Sequence, residues 1–440
     1  MKAKIRIGVS LIWALGSLLL FTATDSNAMP NFARKYGLQC STCHTQVPKL
    51  NRLGFSFRVA GYRMPEEIGQ EVDKPNMGDL FAARIQMQEK TTSGTKASGA
   101  PVQSTDQMTF YEATLYPLTG SWGSNFGSLV ELSMASGEGF EIENAYVRGV
   151  SGDATNGWWS GKIGVMHPQE GFGAADRPIG NNRPLIQKST ATGNPFYLWN
   201  IDEMAAEVGY YWPKTGTNLS ARLSNGVIWM PDGNQAVADP AQGGALTKDQ
   251  NAPGANQKNW QIVLNQYVND DSGFSLYYYK GIIPFGDTAY VDGTGAPQTY
   301  TANNFTRLAV YANWYVMPNK LNLLAGWLAG NDTLDDPSLT GYMRDGKTVK
   351  GTDVGKSAGY YVEADYHVDS KLAMGVRHDA FDPSENVAHN SQTANSIFVN
   401  YQPVHNIQLI ADLVRKTTEA GATAGDNTDN QFVGRMIFIF

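Results

Sequence analysis

Residues 304–330 read NFTRLAVYANWYVMPNKLNLLAGWLAG. Leu308, Val310, Ala312, Trp314 and Val316 alternate with Arg307, Ala309, Tyr311, Asn313 and Tyr315. That is the period-2 pattern of a β-strand with one apolar and one polar face. Pro318-Asn319 then breaks the strand at a tight turn, and a second alternating run follows. The same plan recurs at Met204, Ala206, Val208, Tyr210 and Trp212, which alternate with Glu203, Ala205, Glu207, Gly209 and Tyr211. It returns at Tyr360, Val362, Ala364, Tyr366 and Val368, between which lie Tyr361, Glu363, Asp365 and His367.

Extending this pattern predicts strands at 78–90, 107–118, 124–135, 139–150, 157–166, 200–212, 217–228, 258–269, 273–283, 304–316, 319–330, 358–368, 371–381, 394–402, 405–417 and 429–440. A soluble β-sandwich would also alternate, so the connections discriminate. Those after even-numbered strands are tight: Pro213-Lys214-Thr215-Gly216, Asp270-Asp271, Asp369-Ser370 and Pro403-Val404. Those after odd-numbered strands are mostly long: 167–199, 229–257, 284–303 and 331–357. Tight turns at one end and long loops at the other are the signature of a bacterial outer-membrane barrel. The last strand places Phe432, Gly434, Met436, Phe438 and the terminal Phe440 on one face, as such a barrel should end. The expected fold is therefore mainly β: about 16 antiparallel transmembrane strands over 76–440, both ends of the barrel facing the periplasm. The predicted inward faces carry Glu112, Glu131, Glu141, Glu143, Glu203, Glu207, Glu363, Asp365 and His367, an acidic lumen.

The N-terminal end is different. Lys2, Lys4 and Arg6 precede an apolar run from Ile7 to Phe21, and Ser26-Asn27-Ala28 follows as a cleavage site. Residues 1–28 thus read as a secretory signal peptide. Residues 29–65 then carry six basic residues and no acid, whereas the rest of the mature chain carries 25 basic and 40 acidic residues. Opposite charge favours docking of this small basic module within the acidic barrel as a plug.

The module contains Cys40-Ser41-Thr42-Cys43-His44. In a C-x-x-C-H run two thiols can add to the vinyl groups of a haem while the adjacent histidine ligates its iron. A zinc site needs two further ligands, but the chain has no other cysteine and its other histidines all lie beyond residue 160. A redox C-x-x-C needs a βαβ context that is missing here. One haem c is therefore expected, bound through Cys40 and Cys43 with His44 as axial ligand. Residues 29–75 read as a small α-helical monohaem cytochrome c module: Asn31 as a helix cap, Gly37 as a stop, then Leu50, Leu53 and Phe57 at helical spacing with Gly54 beside them and Gly61 as terminator. Met64 is the candidate second axial ligand; Met29, Met77, a barrel histidine or no ligand are the alternatives. Arg34, Lys35, Arg58 and Arg63 are candidates to pair the propionates. A module this short cannot cover a porphyrin alone, so the barrel should complete the pocket.

At Phe32-Ala33-Arg34-Lys35-Tyr36-Gly37, the C-x-x-C-H motif, Pro48-Lys49-Leu50-Asn51, Gly54, Phe57 and Gly61-Tyr62, the chain resembles the fused monohaem cytochrome–porin family of outer-membrane proteins, best known from iron-oxidising bacteria. The motif match spans about 35 residues. Over the barrel the resemblance is one of architecture and length. It implies extracellular electron transfer, with Fe(II) or another external donor, a periplasmic c-type cytochrome as acceptor, outer-membrane lipid around the barrel, and Fe(II) oxidase activity. Met64 has no firm counterpart in it. Asp332, Asp335 and Asp336 could attract Fe(II) as hard oxygen ligands. The rival reading is a porin or solute channel whose haem is a structural plug or redox gate. No nucleotide loop, catalytic triad or nucleic-acid patch stands out.

Overall fold

The computed structural model describes residues 30–71, 76–135, 139–166, 178–189, 203–228, 236–239, 244–247, 258–291, 297–332, 355–385, 388–404, 406–420 and 425–440. The signal-peptide reading of 1–28, Met29 and the loop acids Asp335 and Asp336 lie outside these residues.

Sixteen strands close into one antiparallel barrel: β1 Ala82–Thr95, β2 Pro101–Tyr116, β3 Phe126–Ala135, β4 Phe140–Asp153, β5 Gly157–Met166, β6 Glu203–Trp212, β7 Thr217–Ile228, β8 Asn259–Tyr267, β9 Gly273–Val291, β10 Pro297–Met317, β11 Leu321–Asp332, β12 Gly355–His367, β13 Leu372–Asp382, β14 Gln392–Val404, β15 Ile407–Thr418 and β16 Asn427–Ile439. A short stretch, Gly120–Trp122, resumes the line of β2 against the start of β3. Every strand pairs with its sequence neighbours, and β16 closes on β1 with Phe438 opposite Ile85. Closure leaves no edge strand. The terminal Phe440 is tied in as well, its N–H donating to the Ala83 carbonyl at 2.8 Å.

The predicted alternation holds along each wall. Leu308, Val310, Trp314, Met204, Val208, Tyr360 and Val362 are exposed on the outside, whereas Arg307, Asn313, Glu203, Glu363 and Asp365 are buried within. An apolar exterior around a polar interior inverts the usual soluble arrangement and suits a hydrocarbon solvent. No helix among the described residues is long and apolar enough to cross a membrane. One connection differs from expectation. The sequence pattern predicts a long loop at 284–303, yet β9 and β10 continue as a hairpin through most of these residues. The register shifts between Pro284 and Thr288, so the proline sits at an irregularity instead of ending the strand.

The acidic lumen also needs correcting, because the acids have barrel-borne partners. Arg222 meets Glu203 at 2.7 Å, Lys162 meets Glu207 at 3.4 Å, and Arg377 meets Glu363 at 3.3 Å and Asp379 at 2.9 Å. Asp332, expected as a loop acid, ends β11 buried against Arg307 at 2.9 Å.

Residues 30–68 fill the lumen at its tight-turn end. Helix α1, Pro30–Tyr36, stops at Gly37, which takes φ +61°. A small ribbon, His44–Gln46 with Lys49–Leu50, precedes helix α2, Arg52–Val59. Two faces of α2 have different work. Phe55 and Val59 pack on Trp158, Tyr211 and Tyr267 of the wall, and Leu53 is exposed. Leu53 therefore does not belong to the inner stripe, because the wall takes one side of the helix and leaves Leu50, Gly54 and Phe57 on the other.

Anchors run from the module to most of the circumference. Asn31 Nδ2 donates to the Thr119 carbonyl at 2.7 Å, so Asn31 ties α1 to the barrel instead of capping it. The Arg52 N–H reaches the Asp270 carbonyl at 2.7 Å, Trp158 Nε1 the Val59 carbonyl at 3.3 Å, and Gln408 Nε2 the Val47 carbonyl at 3.1 Å. Gly61 lies against Gly127, where a Cβ would come within 2.1 Å of the Gly61 carbonyl oxygen. Lys49 is fully enclosed, bonded to Asp365 and 3.6 Å from Glu363. Burial alone would lower its pKa, but Asp365, Glu363 and Tyr315 outweigh that and raise it. Along the same wall, 178–189 folds inward and ends in helix α4, Leu185–Lys188, against β12 and β13, after the earlier short helix α3, Met77–Leu80. Asn182 N–H donates to Asp412 at 2.9 Å and Leu185 N–H to Asp379 at 3.0 Å, pinning this segment to β13 and β15.

Candidate cofactor site

Between α1, α2 and the wall lies a mostly apolar cavity of about 290 Å³. That is far beyond the roughly 10–15 Å³ that one water needs. Cys40, Cys43, His44 and Met64 all line it, so the four residues singled out by sequence share one chamber. Phe32 and Tyr36 of α1 and Leu50, Gly54 and Phe57 around α2 form its walls. Arg84, Tyr116, Leu129, Glu131, Gln402 and Ile439 complete it from the barrel. These barrel residues carry no local signal in the sequence, since only the closed fold brings them to the motif.

The C-x-x-C-H run is held as a tight turn. Cys40–Thr42 forms a single 3₁₀ turn, with Cys43 N–H on the Cys40 carbonyl at 3.1 Å. Asn51 clamps it from three directions. Its N–H donates to the Cys43 carbonyl at 3.0 Å, its Nδ2 to the Thr42 carbonyl at 2.9 Å, and its Oδ1 accepts from Gly54 N at 2.9 Å as the cap of α2. The backbones then approach so closely that a Cβ at Gly54 would meet the Cys43 oxygen at 2.2 Å. Asn51→Ala removes the cap and the side-chain bond to Thr42 while keeping the backbone bond to Cys43, and is expected to cost about 1–2 kcal/mol of module stability. Hydrogen exchange of the Cys43–Phe55 amides measures it, and unchanged protection would refute the clamp.

His44 Nδ1 is 3.2 Å from the Pro48 carbonyl oxygen. A carbonyl only accepts, so Nδ1 carries the proton and Nε2 keeps its lone pair. Burial pushes the His44 pKa down, which keeps the ring neutral. A neutral imidazole with a fixed Nδ1–H is the form that ligates a metal. Burial also raises the Cys43 thiol pKa. A dithiol oxidoreductase needs the opposite shift. The two thiols are not joined to each other, and Cys40 receives Gln402 Nε2 at 3.9 Å.

Met64 follows α2 by one turn, packed against Phe57, Tyr62 and Tyr146. Its N–H donates to Glu67 Oε2 at 3.1 Å, and that oxygen also accepts from Tyr36 Oη at 2.6 Å. Met77 is 63% exposed and absent from the cavity wall, and among the described residues His44 and Met64 are the only histidine and methionine that line the chamber. The basic residues sort differently from expectation. Arg34 is spent on the Gly78 and Phe81 carbonyls, Lys35 on Ser121, and Arg63 on the Gly123, Ser124 and Phe126 carbonyls. Arg58 alone of the four lines the cavity; Arg84 of β1 also lines it but is paired with Glu112 at 2.6 Å and lies 3.8 Å from Glu131.

The chamber thus fits a flat, largely apolar cofactor with a carboxylate arm: two thiols on one turn, a metal-competent imidazole, a thioether, aromatic walls and the Arg58 guanidinium. Among the described residues no three His, Cys, Asp or Glu side chains converge as a metal-ion cluster.

No protein-family model and no curated protein matches the sequence. Solved structures do. The outer-membrane channel DcaP of Acinetobacter baumannii aligns over 82% of this chain and 96% of its own, at 14% identity and a TM-score of 0.51. The anion-selective porin of Comamonas acidovorans aligns over 82% and 98%, at 11% identity and 0.48. OmpT of Vibrio cholerae aligns over 82% and 97%, at 10% identity and 0.47. The chain has the fold of an outer-membrane channel barrel, here with its lumen occupied by its own N-terminal module.

Proposed function

We propose that this is an outer-membrane protein in which a single haem c, attached through Cys40 and Cys43 and ligated by His44 and Met64, passes electrons between an external donor and a periplasmic c-type cytochrome. The convergence of these four residues on one chamber inside the barrel carries the reading. The haem supplies reversible one-electron chemistry when bound. The chain supplies the rest. His44 presents Nε2 with its proton parked on Nδ1, and Met64 offers a soft ligand of the kind that raises a haem potential. Phe32, Tyr36 and Phe57 exclude water, and Arg58 would neutralise a carboxylate arm. The tight-turn end faces the periplasm in this reading, which brings the Cys40 turn toward a soluble acceptor. Fe(II) remains the donor that the family resemblance suggests.

A second reading draws on the channel fold and on a polar cavity beyond the module: a solute channel whose haem is a structural plug or redox gate. Proteoliposomes with Fe(II) outside and a c-type cytochrome inside separate the two. The conduit predicts internal cytochrome reduction that disappears in Cys40→Ala/Cys43→Ala protein. Solute flux equal in wild type and that variant, with no electron transfer, would establish the channel instead.

A further inference from the structure

The lumen is not filled evenly. On the β9 to β12 side the inward side chains are sealed, with Tyr277, Ala309, Tyr311, Leu328 and Tyr361 at most 1% exposed. On the opposite wall a second cavity of about 480 Å³ runs from the cofactor chamber toward the long-loop end. Every inward residue of β16 from Ile439 to Gln431 lines it, and so does every inward residue of β1 from Arg84 to Lys90. The steps from Ile439 to Gln431 amount to about 26 Å of strand, so the cavity is a shaft. At its top Lys90 stands opposite Gln107 of β2, and Gln107 and Thr105 above it on the same face are exposed. The shaft thus leads into solvent.

Its floor is Val47 and Pro48 with Arg84 and Ile439, which line the cofactor chamber as well, so a single layer of side chains parts the two spaces. That layer is fixed in place. Gln408 Nε2 donates to the Val47 carbonyl at 3.1 Å, His44 Nδ1 to the Pro48 carbonyl at 3.2 Å, and Arg84 to Glu112 at 2.6 Å. The walls carry both signs: Arg435 has Asp412 and Glu112 among its neighbours, and Lys188 has Asp379.

We infer that this shaft is the route by which a small hydrophilic reductant, a hydrated metal ion or a compact chelate, reaches the cofactor chamber from the long-loop end, and that it stops at the floor of Val47 and Pro48. A solute cannot pass a closed layer of side chains, but an electron can. One electron goes from the donor to ferric haem, and no bond forms or breaks. Pro48 carries the hydrogen bond to His44, so the electron enters on the histidine side. This step rests on the haem reading, whereas entry of the solute does not.

Cysteine substitution in the haem-loaded, full-length protein in proteoliposomes tests the route, because Cys40 and Cys43 are then consumed as thioethers. Gln88→Cys, halfway up the shaft, should react with a charged, membrane-impermeant methanethiosulfonate at least tenfold faster than Ala309→Cys on the sealed side. Gln431→Cys, near the mouth, takes its place if Gln88→Cys does not assemble. A bulky adduct on the introduced shaft thiol should then slow haem reduction by external ascorbate or Fe(II) at least tenfold relative to the same variant before treatment, while treatment leaves the rate of Ala309→Cys unchanged. Equal labelling of the two positions, or an adduct in the shaft that leaves the rate as it was, overturns the proposal. Protein without haem absorbance would overturn the conduit instead, and the labelling contrast in the Cys40→Ala/Cys43→Ala background would still decide the shaft.

Discussion

Lys49→Met should loosen the N-terminal module from the barrel by about 3–5 kcal/mol, the usual cost of removing one partner from a buried ion pair. Asp365 is fully buried and bonded to Lys49, while Glu363 keeps Arg377 as a second partner. The substitution therefore strands chiefly Asp365 and forces it to find water or a proton. At about 1.4 kcal/mol per tenfold, even the lower figure raises the undocked population more than 100-fold. Limited proteolysis should cut residues 30–71 in the variant while the barrel stays protected, because strand pairing around the wall does not involve Lys49. Adding Asp365→Asn should recover much of the loss, since replacing both partners removes the stranded charge. Resistance equal to wild type would sink this account. The sign with pH for the ammonium follows from the raised Lys49 pKa: its own share of the stabilisation is fully present below the ordinary lysine value of about 10.4 and is lost as pH rises through the elevated one.

The strands were legible because a wall between lipid and a polar lumen forces a period of two, and that period survives in single residues such as Val362 and Glu363. All sixteen predicted segments overlap observed strands. Strand ends were less legible. At Pro284 the chain tolerates a breaker because a register shift absorbs it. The charge of the lumen was misread for a different reason. Counting inward acids ignored the inward bases on neighbouring strands, although the tight turn at Asp369-Ser370 fixes a register that sets Glu363 opposite Arg377. That pair could have been found from the hairpin alone. Within the site, Cys40, Cys43, His44 and Gly54 were readable because their relation is local. Asn51 was readable in principle as a polar residue just before a helical stripe. Arg84, Leu129 and Gln402 were not, since their approach to Cys40 depends on closure of the whole barrel.

Cys40→Ala/Cys43→Ala should abolish haem that survives denaturation, because both attachment points are gone, while each single variant keeps one thioether and a share of bound haem. Haem-linked peroxidase staining after denaturing electrophoresis reads this directly; wild-type protein from cells that mature c-type cytochromes should stain, and a wild-type band without stain would refute covalent attachment. Met64→Ala tests the other side of the chamber. Haem should remain attached, since Cys40, Cys43, His44 and the Asn51 clamp are untouched, but the iron should lose its thioether and its reduction potential should fall. Met64 is fixed through Glu67 and Tyr36, so Glu67→Gln should shift the potential in the same direction by less, and Tyr36→Phe likewise. A potential unchanged in all three variants would mean that Met64 does not reach the iron. A fall confined to Met64→Ala would keep the ligand and remove Glu67 from its support, because a side chain that only packed against Phe57 would not depend on that hydrogen bond.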